Sequence, residues 1–365
     1  MITPLKMKEN RVWRLYYGGK LIDEMRKSGN GEDANFPEDW LASVVVADNP
    51  DRADKPEKEG LSKIETADGS ELYLKDLIDS DPETYLGKEH IEKFGVNFGV
   101  LTKFLDSAER LPIQVHPTKA AAKRLFNSDY GKTESWYILN SRVIDGEEPY
   151  ILLGFKRPVT AEKWKELFDR QDIAEMQEYM HKIVVKPGDV FLITGGTPHA
   201  IGSGCMLLEV QEPTDYTISV EKCDMRGTLM PDHLCHMGLG FEKMFECFTY
   251  EALSIDELMS RYYLKANVLE ESGKAKKESL ITYDDTACFA LNRMTVEAEY
   301  ERKTNGRACC LAVARGSGKL VCGEKEIEIK AGDCLFEPAK TDSYLVKAND
   351  GDTLEILECM PPKIN

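Results

Sequence analysis

Two histidines, one glutamate and one glutamine of this chain are spaced as a metal-binding set would be. In the run LPIQVHP (111–117), Gln114 and His116 lie two residues apart. Side chains alternate across an extended strand, so both face the same side. Glu134 comes eighteen residues after His116, opens the run SWYILN and can face them from the next strand. A third stretch, GGTPHAIG (195–202), sets His199 on a turn bounded by glycines. Two imidazoles, one carboxylate and one neutral amide oxygen make a donor set for a divalent ion, with room left for water or substrate. Such a set suits zinc or iron. Each histidine also has a plainer reading, since a His beside Pro is commonly a packed structural residue. The other four read as unremarkable: His90 and His181 on charged helices, His233 and His236 solvated or packed.

The elements that must position these residues form a series of short strands. FGVNFGVLTKFLD (94–106), LPIQVHP, SWYILN (135–140) and YILLGF (150–155) read as strands, with DGEE (145–148) as a hairpin turn between the last two. Thr118 caps a short helix over 118–126. Residues 157–182 break the series with a helical pair, AEKWKELFDRQ capped by Thr160 and IAEMQEYMHK capped by Asp172. Strands resume with KIVVKPGDVFLIT, CMLLEVQ and YTISVEK. Upstream, LASVVVA (41–47) is β-rich, 48–70 reads as a polar surface excursion, and 71–93 as two short helices. Helix returns within 231–261, and from about 280 the chain is strand and turn. KPGDVFLITGGTPHAI (186–201) and KAGDCLFEPAKTDSYL (330–345) form a weak internal repeat whose second copy lacks the histidine. Short strands with Gly and Pro turns, repeated in this way, suggest two β-barrels of one type.

Composition narrows the function classes. The 365 residues are 42% hydrophobic and 30% charged, a foldable balance. With 47 basic and 64 acidic side chains the net charge is 47 − 64 = −17, which disfavours general binding of nucleic acid or anionic membrane. A phosphorylated small molecule then needs a local basic pocket. Apolar runs such as ACCLAVA (308–314) are too short to span a bilayer. The ten cysteines form no C-x-x-C pair, and the N-terminus shows no apolar signal region. The expectation is a cytoplasmic protein with reduced, mostly buried thiols.

LPIQVHP, GKTESWYIL, LLGF and GDVFLITGGTPHAIGSGCMLLEVQEPTD resemble type I mannose-6-phosphate isomerases (phosphomannose isomerases) of the cupin superfamily, in order and spacing as well as in sequence. The similarity is clear over about 95–245, weaker before it and generic over 280–361. It implies a mainly β fold of two cupin (jelly-roll) barrels: an N-terminal metal-binding domain over 1–265 that includes the helical insert 157–182, and a C-terminal cupin domain over 266–365 without metal ligands. It implies one Zn2+ per chain, or another divalent metal, bound by Gln114, His116, Glu134 and His199. It also places Lys132 in the substrate pocket, and Asp215 of EPTD matches a pocket acid. The activity implied is interconversion of mannose 6-phosphate and fructose 6-phosphate. That reaction moves a proton between C1 and C2 through an enediolate, so a metal or a fixed cation must stabilise the developing charge. Lys132 would donate to the oxyanion or hold the phosphate. Asp215 would do acid–base or orienting work, its plain alternative being a turn cap.

Two positions depart from the resemblance. Ser219 stands where the family usually carries an Arg, and a Ser supplies no fixed positive charge. Lys222 or Arg226 would substitute in binding substrate, unless both are ordinary surface charges. Pro112 stands where many relatives have Ser, which removes a hydroxyl. Ser219 therefore motivates an alternative, a cupin that binds a sugar or sugar phosphate as a sensor without isomerising it. A third reading is an iron oxygenase using two His and one carboxylate; Gln114 and Lys132 weigh against it.

Overall fold

The structure is a computed structural model of the chain and describes residues 2–364 apart from Pro50, Asp51, Ala53 and Ala67. It is mainly β, built from two pairs of antiparallel sheets. In the first pair, a seven-stranded sheet runs in the order Tyr263–Leu264, Val190–Ile193, Glu134–Ser141, Cys205–Gln211, Leu101–Ser107, Glu38–Leu41, Arg11–Val12. A five-stranded sheet packs on it in the order Met180–Val184, Tyr150–Phe155, His199–Ile201, Gln114–Val115, Ile218–Ser219. Period-two alternation explains the packing. Trp136, Ile138, Leu105, Phe191 and Leu207 of the larger sheet meet Ile151, Leu153 and Ile201 of the smaller one in a single buried cluster.

The outer face of the five-stranded sheet is also apolar, through Ile113, Val115, Leu152, Phe155 and Ile218, and the helical insert covers it. Thr160 and Asp172 cap its helices Ala161–Arg170 and Ile173–Glu178 by accepting from Lys163 N and Glu175 N. Trp164, Leu167, Phe168 and Met176 point inward and are fully or almost fully buried. Covering that face fixes the strands that carry Gln114 and His199.

The second pair repeats the first. A seven-stranded sheet runs Leu5–Lys6, Cys334–Glu337, Cys309–Arg315, Leu354–Met360, Ala290–Val296, Ala275–Ile281, Asn267–Ser272, and a four-stranded sheet runs Glu299–Arg302, Tyr344–Ala348, Ser317–Cys322, Lys325–Lys330. The Lys-x-Gly-Asp turns are alike in detail. Asp189 accepts from Lys186 N and Asp333 from Lys330 N, each at 2.9 Å. Aligning the turns places Val190–Ile193 on Cys334–Glu337 and carries the strand order of one sheet onto the other. Leu5–Lys6 then takes the edge position that Tyr263–Leu264 holds in the first pair. The N-terminal strand thus belongs to the second pair of sheets, not to the 1–265 segment that the sequence assigns it to.

Several expected elements differ. DGEE is no hairpin between its flanking strands: Glu134–Ser141 and Tyr150–Phe155 lie in different sheets, and the turn closes on itself through the Ile144–Glu147 bridge. The β-rich run at 41–47 is not a strand; pairing ends at Leu41, and the strand is Glu38–Leu41. Residues 71–93 form a short strand and three helical pieces, and helix continues to Phe94, so the strand expected from 94 starts at Leu101. His181 lies on the strand Met180–Val184 rather than on a helix, because pairing with Tyr150–Phe155 takes over after Glu178. The excursion at 48–70, four of whose residues lie outside the described set, is anchored rather than free, with Glu59, Leu61 and Ser62 buried.

Candidate metal centre

Gln114 and His116 enter the interior between the two sheets because Ile113 and Val115 face the helices. His199 pairs with Gln114 across the five-stranded sheet, and Glu134 opens the strand opposite. The turns around them approach very closely. Gly196 N donates to His116 O and Lys132 N to Pro117 O. A Cβ at Gly131 or Gly195 would stand 2.7 Å from Pro117 O, so only glycine lets the three loops meet there. Thr118 caps the following helix by accepting from Ala121 N. The buried Glu212 accepts from Gly131 N and Thr133 N, which holds the segment carrying Lys132.

The donor atoms of His116, Glu134 and His199 all lie within 4.8 Å of one another, and the three residues are buried. His116 Nε2 is 3.0 Å from Glu134 Oε2, and His199 Nε2 is 3.3 Å from Glu134 Oε1. Gln114 completes the group with its amide nitrogen 3.3 Å from His199 Nε2, so a half-turn of the amide would bring its oxygen to the same place. Both imidazoles use Nδ1–H elsewhere, His116 donating to Tyr216 O at 2.7 Å and His199 to Thr197 O at 2.8 Å. Each Nε2 therefore presents a lone pair to the carboxylate. Glu134 Oε1 accordingly has no hydrogen-bond donor although it is buried. Lone pairs and a carboxylate converging out of water repel unless a cation lies among them. Backbone carbonyls that orient neutral imidazoles are also the usual support of metal-binding histidines. The donor set fits zinc or a similar divalent ion.

One cation is already present. Lys132 Nζ lies 2.7 Å from His116 Nε2 and donates to Glu134 Oε2 at 2.8 Å. Burial, and then this ammonium, pushes the His116 imidazole down to about 3. Burial also lowers that of His199. Burial alone would raise the Glu134 carboxyl, but Lys132 and His116 hold it well below the usual range. The set is thus two neutral imidazoles and one carboxylate, the forms that ligate.

A cavity opens beside this group, with Gln114, Lys132, Asp215 and Ser219 in its wall. Asp215 is not a turn cap: it accepts from Arg14 Nη2 at 3.0 and 3.1 Å and from Asp48 N at 2.9 Å. Ser219 spends its hydroxyl on the Glu221 backbone, donating to Glu221 O at 3.1 Å and accepting from Glu221 N. The two expected substitutes for a cation at 219 stand outside the cavity wall. Lys222 Nζ lies over the rings of Phe168 and Phe241, at 4.6 and 5.0 Å. Arg226 stacks 3.8 Å from the Tyr17 ring centroid and bonds Asp224 and Leu15 O. Apolar aromatic faces draw both cations away from the pocket.

The metal motif does not reveal the rest of the wall. Glu38, Lys103 and Glu209 are buried there as an ion-pair chain, Lys103 Nζ lying 3.0 Å from Glu209 and 3.6 Å from Glu38. The available signal was a lone charge inside an apolar strand, in LTKFL and in CMLLEVQ. Arg14 joins Glu38 to Asp215 and lies 5.0 Å from the Trp40 ring.

Fold and centre together define a class: a jelly-roll protein whose interior presents a His–Glu–His metal set, as in the metal-binding cupins. The comparisons carry this further. A family model described as phosphomannose isomerase type I, catalytic domain, matches residues 38–135, and one described as mannose-6-phosphate isomerase, cupin domain, matches 279–352. The chain is 27% identical over 247 residues to the mannose-6-phosphate isomerase ManA of Bacillus subtilis strain 168, covering 67% of this chain and 70% of that one. It is 28% identical over 286 residues to a mannose-6-phosphate isomerase of Streptococcus mutans, covering 76% and 79%. The crystal structure of the Bacillus subtilis mannose 6-phosphate isomerase shares the fold at a TM-score of 0.75 and 21% identity, over 98% of this chain and 99% of that one. A zinc-bound mannose 6-phosphate isomerase shares it at 0.72 and 17%, over 99% and 100%. The family models and the named relatives together identify an enzyme of the mannose-6-phosphate isomerase kind, similar to the type I phosphomannose isomerases.

Proposed function

We propose that this enzyme is a zinc-dependent aldose–ketose isomerase that interconverts mannose 6-phosphate and fructose 6-phosphate by proton transfer through an enediolate. The convergence of His116, Glu134 and His199, with Lys132 bonded to two of them, carries the reading. Gln114, His116, Glu134 and His199 would hold the ion, the amide oxygen of Gln114 being the neutral fourth donor. Zinc bound there supplies a Lewis acid against the negative charge that develops on the sugar oxygens.

The chain's own residues account for the rest. Lys132 Nζ is a buried ammonium fixed beside the centre, and it donates to the oxygen on which charge builds. Asp215 has its lone pairs engaged by Arg14 and Asp48 N. It therefore orients the Arg14 wall, and of these two residues Lys132 is the one with N–H bonds to offer a developing oxyanion. The helical insert and the apolar core behind Gln114 and His199 keep bulk water out. The ten unpaired cysteines support a reducing, cytoplasmic setting. Among the described residues no helix is long and apolar enough to cross a membrane. The division into a metal-bearing cupin over 1–265 and a metal-free one over 266–365 belongs to the same proposal, with the N-terminal strand as the exception noted above.

A coupled assay of the zinc-loaded protein tests this. Turnover of mannose 6-phosphate that is lost to a chelator and restored by zinc is the expected result. Absence of turnover with mannose 6-phosphate and other aldose phosphates overturns it. Ser219 favours a second reading, sugar-phosphate binding without isomerisation, which tight binding with no turnover would establish.

A further inference from the structure

Four cationic side chains line the cavity: Arg14, Lys103, Arg110 and Lys132. Their partners rank them. Arg14 lies between two carboxylates, 3.1 Å from Glu38 and 3.0 Å from Asp215. Lys103 likewise lies between Glu209 and Glu38. Lys132 is committed to the metal centre. Arg110 has one carboxylate only, Glu221, held bidentately at 2.6 and 3.0 Å. Part of that carboxylate's charge goes to Ile113 N, which donates to it at 2.6 Å. Arg110 therefore keeps more of its positive potential than the others, and with 7% exposure it is scarcely screened by water.

Its donors are also unequally used. A guanidinium has five N–H groups. Nη1 gives its two to Leu111 O and Glu221, and Nη2 gives one to Glu221. The N–H on Nε and the second on Nη2 have no partner among the described residues. Arg110 precedes Gln114 by four residues, and Glu221 follows Ser219 by two. Arg110 lines the same cavity as Pro112 and Ser219, the two positions that offer it neither a charge nor a free hydroxyl.

We infer that Arg110 is the anion anchor of this cavity, receiving the phosphate of a sugar-phosphate substrate on its Nε and Nη2 hydrogens while Glu221 holds the guanidinium in place. This rests on the cavity being a sugar-phosphate site. Planar two-point donation to a phosphate is what a guanidinium does and an ammonium does not.

The test compares zinc-loaded wild type with Arg110→Gln and Arg110→Lys. Binding of inorganic phosphate, mannose 6-phosphate and unphosphorylated mannose is measured by calorimetry, with KM and kcat alongside. Arg110→Gln is expected to weaken mannose 6-phosphate and inorganic phosphate by roughly 10- to 100-fold, the worth of a charge-assisted pair. KM should rise more than kcat falls, Arg110→Lys should lie between, and mannose binding should change much less. Unaltered phosphate binding in Arg110→Gln, or an equal loss of mannose and mannose 6-phosphate, overturns the inference. Should Arg110→Gln fail to fold, Arg110→Lys decides, because it keeps the charge and loses the fork. A wild type that binds mannose 6-phosphate without turning it over defeats the isomerase reading alone, since the binding comparison still decides Arg110.

Discussion

At the residue scale, the centre is a cluster of acceptors that Lys132 partly neutralises. An ammonium 2.7 Å from His116 Nε2 and 2.8 Å from Glu134 competes with a divalent ion for the same lone pairs. Lys132→Met should therefore bind zinc more tightly, by about tenfold, while kcat falls by at least about 100-fold. Competition against a chromophoric chelator reads the first and the coupled assay the second; weaker zinc binding would show that Lys132 supports the ion instead. Glu38 gives a pH signature. Burial alone would raise its carboxyl, but Arg14 and Lys103 bring it down to about 2. A carboxyl lowered on folding contributes stability that is complete above its ordinary value near 4.5 and is lost as pH falls through about 2. Glu38→Gln should cost roughly 3 kcal/mol at pH 7, and its deficit against wild type should shrink steadily below pH 4.5 in denaturant melts. A deficit independent of pH would mean that Glu38 acts by packing alone. The shared side of Gln114 and His116 was legible because a period-two strand puts both on one face. Arg14, Arg110 and Glu38 were not, since their meaning depends on partners 201, 111 and 22 residues away.

At the element scale, caps and repeats were readable and strand partners were not. Thr118, Thr160 and Asp172 cap helices as their side chains predict, because capping is settled within one turn. The partner of Glu134–Ser141 is chosen by the whole sheet, so a turn signal at 145–148 suggested a hairpin that does not form. The close meeting of three loops behind the metal centre is likewise invisible in sequence, where Gly131 and Gly195 look like ordinary turn glycines. Gly195→Ala should force the His116–Pro117 turn away and lower stability by about 1–3 kcal/mol, as overpacking does. It should also weaken zinc binding, because the displaced turn carries His116. Thr118→Ala is the control: losing the cap should cost about 1 kcal/mol and leave zinc affinity nearly unchanged. Equal zinc affinities in Gly195→Ala and wild type would separate that turn from the centre.

At the scale of the whole molecule, the two pairs of sheets share one core. Leu41, Phe104 and Leu208 of the first pack in the same buried cluster as Phe336, Leu357 and Cys359 of the second. Polar contacts cross as well, Tyr137 Oη donating to Glu355 and Arg293 Nη1 to Tyr137 Oη. Leu5–Lys6 pairs with the Cys334–Glu337 strand, so the start of the chain is stitched to the second pair of sheets. Two barrels read as independent beads on a chain would unfold separately, whereas a shared core couples them. The four tryptophans, at 13, 40, 136 and 164, all lie in the first half of the sequence, so their fluorescence reports the metal-bearing unit alone. Phe336 is fully buried in the other unit, with its ring 5.1 Å from that of Phe98. Phe336→Ala should cost about 3–5 kcal/mol through cavity and lost burial. It should also lower the midpoint seen by tryptophan fluorescence as much as the midpoint seen by calorimetry. A fluorescence midpoint that stays at the wild-type value while the calorimetric one falls would show two separable units. In that case the second pair of sheets would be dispensable to the fold of the centre.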